Sequence, residues 1–163
     1  MTDSLQHLVR NDNLRLAYRV VHGSQPTVVW LGGFHSDMTG TKAQVLADQA
    51  RATGGGYLRF DYFGHGESDG AFEDGVISRW REDALAVIDD LTERPLVLGG
   101  SSMGGWLACL AAIARPERIR ALVLVAPAPD FTEKLMIPAL PPKALARIAE
   151  HGPWTRPSDY DED

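Results

Sequence analysis

Apolar residues in this chain gather into short runs, each followed by a glycine-rich turn and then a stretch with helical spacing, and the pattern repeats up to residue 126. The runs 14–21, 27–31, 57–60, 96–98 and 119–125 have strand length, and most are rich in Val and Leu. Strand alternating with helix predicts a parallel sheet, and strands apolar on both faces predict helices on both sides of it. Residues 41–52 read as one such helix, closed by Gly54-Gly55-Gly56, which supplies the positive φ that helix C-termini favour. In 77–91 the apolar positions Ile77, Trp80, Ala84, Val87, Ile88 and Leu91 form one stripe at three-and-four spacing, with Asp74 or Ser78 available as a cap. Residues 103–114 are apolar nearly all round, the pattern of a helix packed at the centre of a layer, and Pro116 blocks their extension. The expected fold class is therefore α/β, a mostly parallel sheet flanked by helices.

Beyond residue 125 the character changes. Pro127, Pro129, Pro138, Pro141, Pro142, Pro153 and Pro157 crowd a segment with one short helical stretch, 143–150. This predicts a cap or lid over 131–163 rather than more sheet, ending in a frayed acidic tail at Asp159, Asp161, Glu162 and Asp163. The 163 residues fit one domain.

Composition narrows the function. Acidic residues outnumber basic ones by 22 to 16, and the net charge of −6 with no local basic stripe argues against a nucleic-acid partner. The longest apolar stretches, 106–114 and 121–126, fall far short of the ~20 residues of a membrane span. Residues 1–19 lack the basic-then-apolar order of a secretory signal. The sole cysteine, Cys109, excludes an intrachain disulfide and reads as a small buried hydrophobe. A cytoplasmic location is expected.

The chemistry lies in 96–105, where a strand leads into Gly100-Ser101-Ser102-Met103-Gly104 and then a helix. This is a Gly-x-Ser-x-Gly nucleophile elbow in its strand-turn-helix setting. Ser102 is the candidate nucleophile, because Ser101 would place Met103 at the flanking position that needs glycine. The serine of such an elbow sits in a strained backbone conformation that lifts its hydroxyl out of the sheet, and side chains two residues away would clash. The helix that follows directs its first amides at the developing oxyanion, which makes the Met103 N–H one donor. A second can come from the Phe34 N–H in the turn Leu31-Gly32-Gly33-Phe34. The rival reading, a phosphate-cradling loop, would need Gly-Lys-Ser/Thr or Gly-x-Gly-x-x-Gly, and 99–105 has neither.

With these residues in place the chain resembles the α/β-hydrolase superfamily, through Leu31-Gly32-Gly33-Phe34, Asp61-Tyr62-Phe63-Gly64-His65-Gly66-Glu67-Ser68 and Gly100-Ser101-Ser102-Met103-Gly104-Gly105-Trp106. More narrowly, Met38-Thr39-Gly40-Thr41-Lys42-Ala43, Arg59-Phe60-Asp61-Tyr62 and Ala111-Ala112-Ile113-Ala114-Arg115-Pro116-Glu117 resemble the branch of palmitoyl-protein thioesterase and acyl-glucuronide esterase. The resemblance implies a serine esterase or thioesterase acting on a small-molecule or acylated substrate, without metal or cofactor. Ser102 would attack an acyl carbon, with a histidine as base and an acid orienting it. Phe34, Met103, Trp106 and the lid residues Leu135, Met136, Ile137 and Leu140 favour an apolar acyl group.

The departure from the family is at the end: its members continue through two more strands that bring the triad acid and histidine, so the chain reads as a C-terminally truncated, incomplete α/β-hydrolase domain. After Ser102 the only histidine is His151, in the lid segment, where an ordinary exposed side chain is expected. Asp130 follows the fifth strand, where some hydrolases keep the triad acid, but Asp130-Phe131-Thr132-Glu133 reads rather as a capping box. His35 and His65 read as structural or pocket-lining, and Asp61 as an acceptor for backbone N–H groups of its own loop. Truncation predicts an uncovered sheet edge at the fifth run, open to self-association. It also leaves two rival readings: a catalytically incomplete fragment or interaction module, and a hydrolase whose remainder lies on another polypeptide.

Overall fold

The computed structural model describes residues 3–93 and 95–152. The chain forms two compact units, Met1–Pro129 and Asp130–Asp163. The first is built on a six-stranded sheet: β1 (Gln6–Val9), β2 (Arg15–Val21), β3 (Ser24–Leu31), β4 (Gly55–Phe60), β5 (Leu96–Ser101) and β6 (Ile119–Val125), in the order β1-β2-β4-β3-β5-β6. β4, β3, β5 and β6 run parallel, while β1 and β2 add an antiparallel border. The mostly parallel α/β reading thus holds, with one strand more than the sequence showed. β1 is only four residues long and alternates half-buried with exposed positions, so no apolar run announces it.

Three helices serve the sheet: α1 (Thr41–Thr53), α2 (Ile77–Leu91) and α3 (Met103–Ala114). α1 ends where the glycine triplet placed it, with Gly54 left-handed at φ 72° and its N–H on the Ala50 carbonyl. α1 packs Ala43 and Ala47 against Trp30 and Tyr57. The Tyr57 hydroxyl also donates to the Ala43 carbonyl at 3.0 Å. α2 and α3 pack on each other, and α3 lies along β5, β6 and β3, burying Leu107, Ala108 and Ala111. Cys109 on α3 is half-buried rather than enclosed, since the residues that face the sheet are its neighbours Leu107, Ala108 and Ala111. α2 starts from Val76 with no side-chain cap, so neither Asp74 nor Ser78 does that work; Asp74 instead closes a single turn over Phe72–Asp74.

Helices cover the central strands more fully than β6, which meets α3 but stays open along most of its length. Among the described residues it pairs with β5 alone, and from Arg120 to Val125 every residue is exposed, Val123 to 56%. A strand with the composition of a sheet interior therefore sits at the edge. Beside it, an apolar groove of about 450 Å³ runs between Val45 and Leu46 of α1 and Val28, Val97 and Val123 of the sheet.

In the second unit, a π-helical turn over Thr132–Met136, a 3-10 turn over Ile137–Ala139 and α4 (Pro142–His151) follow one another. The capping box does not form. Asp130 adopts φ 54° and uses its carbonyl and carboxylate on Lys134, and no side chain caps the turn. The acidic tail, Pro153 and Pro157 lie outside the described residues.

Candidate active site

The site is built where β5 turns into α3. Ser102 has φ 54° and ψ −121°, a conformation that L-residues avoid, and its side chain is exposed, whereas Ser101 is the half-buried end of β5. The bend is held from both sides. The Ser102 N–H donates to the Val125 carbonyl at 3.1 Å, and the Ser102 carbonyl accepts from Gly105 at 3.0 Å and Ala128 at 3.1 Å. Its two flanking glycines are sterically required. A Cβ on Gly100 would run into the Gly104 carbonyl and lie 2.8 Å from the Gly105 Cα, and one on Gly104 would overlap the carbonyl oxygens of Leu31 and Gly32. That second contact is how β3 and α3 come close enough to share a site.

The turn after β3 meets the elbow directly: a Cβ built on Gly33 would stand 3.5 Å from the Ser102 Cβ. Phe34 follows at the rim, and Met103 opens α3 in the first helical turn, whose amides lack helical acceptors. The structure thus brings Ser102, the Gly33–Phe34 turn and the head of α3 together. Met103 offers only its backbone, because its side chain is fully buried, so it cannot line an acyl pocket as its apolar character suggested. Leu135, Met136 and Ile137 are exposed in the second unit and Leu140 is half-buried there.

Asp61 does what its place in a turn suggested. Its carboxylate accepts the Met38 N–H at 2.6 Å and the Glu67 N–H at 3.0 Å, tying the 36–40 loop to the 66–68 loop. Burial lifts this carboxyl to about 6 against the pull of those two donors. Arg59, also buried, grips the same residue from its other side by donating to the Met38 carbonyl at 3.0 Å.

His65 is buried, at 4% exposure, with Nδ1 3.1 Å from the Phe63 carbonyl, so that nitrogen carries the proton. Burial lowers its pKa, and neighbouring His35 adds to the effect. His35 is exposed, with its ring against Phe72. His151 belongs to the second unit, exposed next to Glu150. Within the first unit, among the described residues, no histidine or carboxylate hydrogen-bonds the Ser102 hydroxyl.

Two supports escaped the reading of the sequence. Asp83, fully buried, accepts the Phe63 N–H at 2.8 Å and forms ion pairs with Arg10 and, at 3.7 Å, Arg79. Its signal was an acid inside the apolar stripe of α2, one turn from Trp80 and Val87. The other is the ring cluster of Phe34, His35, His65, Phe72 and Trp80, whose members come from three separate segments.

Comparison with known proteins bears on this geometry. Residues 23–161 match the family model described as serine aminopeptidase, S33. The chain is 42% identical over 160 residues to the mitochondrial palmitoyl-protein thioesterase ABHD10 of Bos taurus, and equally to that of Homo sapiens, covering 98% of this chain and 52% of each relative. Among solved structures, a putative hydrolase from Agrobacterium vitis S4 superposes with a TM-score of 0.87 at 42% identity, over 98% of this chain and 66% of that one. The mouse alpha/beta hydrolase domain-containing protein 10 gives 0.85 at 40%, over 96% and 62%. The chain thus spans about half the length of the curated relatives it matches. The relatives' mitochondrial designation gives the cytoplasmic expectation no support; what the chain itself establishes is that no described helix is long and apolar enough to cross a membrane. The family model spans most of the chain, and with these relatives beside it the chain belongs to the α/β-hydrolases, in the branch of the ABHD10 palmitoyl-protein thioesterases.

Proposed function

We propose that this chain carries the nucleophile and oxyanion site of an acyl hydrolase acting on carboxylic esters or thioesters. Ser102 Oγ attacks the acyl carbon, the bond to the alcohol or thiol breaks, and the leaving group takes up the serine proton. Water then releases the acid and restores the hydroxyl. The Phe34 and Met103 N–H groups hold the oxyanion, each such donor being worth about 3 kcal/mol of barrier. The observation that carries the reading is the strained, exposed Ser102 at the head of α3 with Gly33 against it. The name palmitoyl-protein thioesterase borne by relatives points to a thioester with an apolar acyl group. The test is a fluorophosphonate probe together with an acyl-thioester assay. Labelling that disappears in Ser102→Ala, with thioester hydrolysis lost alongside it, supports the reading, and labelling unchanged by the substitution refutes it.

A second reading is favoured by one observation: among the described residues of the first unit no base is bonded to Ser102. An elbow without a base retains at most ~10³ to 10⁴-fold catalysis over water. The chain would then act as an interaction module, using the open β6 edge. No labelling, together with self-association, selects this alternative.

A further inference from the structure

The turn that presents Phe34 contains a residue in the wrong conformation for its type. Ser36 N–H donates to the Gly33 carbonyl at 3.1 Å, closing a four-residue turn, and His35 at its third position has φ 58°. Phe34 is not left-handed, so the turn is type II, which favours glycine or asparagine where His35 stands. A type I turn would relieve that strain by rotating the peptide between Phe34 and His35, exchanging the directions of the Phe34 carbonyl and the His35 N–H. A carbonyl dipole beside the oxyanion donor would reverse with it.

What opposes the rotation is a set of rings. The His35 ring lies on Phe72 with centroids 3.7 Å apart and planes 34° from parallel. The Phe34 ring meets the same Phe72 edge-on at 5.0 Å. Phe72 in turn stacks on Trp80 at 5.9 Å and 29°. Trp80 is immobilised: it is 3% exposed, its Nε1–H donates to the Phe63 carbonyl at 3.0 Å, and that residue's N–H is held by Asp83. The segment carrying Phe72 is wedged in place as well. A Cβ on Gly64 would stand 2.7 Å from the Phe72 Cα, and one on Gly75 would collide with the Trp80 indole. Phe72 is thus a fixed platform, and the two residues at the centre of the strained turn both rest their rings on it.

We propose that Phe72 is a positioning residue: by stacking on His35 it holds the turn after β3 in its type II form, and so fixes the electrostatic surroundings of the Phe34 N–H beside Ser102. Its catalytic consequence rests on the acyl-hydrolase reading above; the conformational claim does not. Because the strain sits at His35, glycine there adopts the same φ without help, and the platform becomes dispensable.

The test is a four-member cycle of wild type, Phe72→Leu, His35→Gly and the double variant. Leucine keeps the apolar volume of Phe72 but offers no ring face, which guards against simple unfolding. Two quantities are read: the sign of φ at His35, from the coupling of its Hα to the preceding carbonyl carbon together with carbon shifts, and the inactivation rate constant of Ser102 with a fluorophosphonate, separated from probe affinity. Phe72→Leu is expected to depopulate the left-handed state of His35 and to slow phosphonylation about 10- to 100-fold at unchanged probe affinity. In the His35→Gly background the same substitution should change the rate by less than about two-fold. A His35 that stays left-handed in Phe72→Leu overturns the proposal, as does equal slowing in both backgrounds, the mark of a merely structural role. If wild-type Ser102 fails to react at all, the hydrolase reading falls, and the His35 coupling alone decides the turn lock.

Discussion

Replacing Ser102 by glycine should make the protein more stable. With φ 54° and ψ −121°, Ser102 carries a Cβ in backbone territory that costs on the order of 1–3 kcal/mol. Glycine removes that cost, but the unfolded chain gains freedom worth roughly 0.5–1 kcal/mol. The exposed hydroxyl has no hydrogen bond in the first unit among the described residues, so deleting it costs little. The net expected gain is about 0.5–2 kcal/mol, and for a chain of this size each kcal/mol moves Tm by about 2–4 °C. Ser102→Ala is the control that decides the matter: it also lacks the hydroxyl but keeps the Cβ, and so the strain. Thermal and urea unfolding followed by circular dichroism, on wild type and both variants under one condition, should order them glycine above alanine, with alanine near wild type. A glycine variant no more stable than the alanine variant would mean that the elbow stores no strain, and the account of why Ser102 is lifted from the sheet would fail. Both variants should lose probe labelling, which separates the stability effect from chemistry.

Other substitutions probe the supports. Gly104→Ala drives a methyl into two backbone carbonyls that cannot yield separately, so a loss of about 1–3 kcal/mol in urea unfolding and of Ser102 labelling is expected. Asp83→Ala leaves Arg10 and the Phe63 N–H without their buried partner, for a loss of about 3–5 kcal/mol by the same assay. Asp61 sets a pH dependence: its carboxyl titrates near 6 when folded against 3.8 when free, so the folded state binds the extra proton between those values. Its contribution to stability is full below about pH 4 and falls by up to about 3 kcal/mol as pH rises through 6. The difference in unfolding free energy between wild type and Asp61→Asn should show this slope, and a flat difference would refute it. Val123→Lys on the open β6 edge should lower self-association in sedimentation velocity with little change in Tm, since its side chain is already largely in water.

The linear chain determined most of what is local. Short apolar runs, most of them rich in Val and Leu, located β2 to β6, three-residue and four-residue periodicity located α2, and the glycine triplet ended α1, because each of these follows from the backbone conformations and burial that short segments require. The choice of Ser102 over Ser101 was legible for the same reason: only one of them has glycines at both clashing positions. Tertiary structure alone decided the rest. β1 became a strand because β2 offered an edge, not because Gln6–Val9 has a run of its own. Asp83 reads as an anomaly in a helix stripe until Arg10, Arg79 and Phe63 arrive from distant segments to neutralise and hydrogen-bond it. Phe72 is one more aromatic residue until folding sets it between His35 and Trp80. Pairing energies of this kind depend on which side chains meet across gaps of tens of residues, and no local pattern in a single sequence records those meetings.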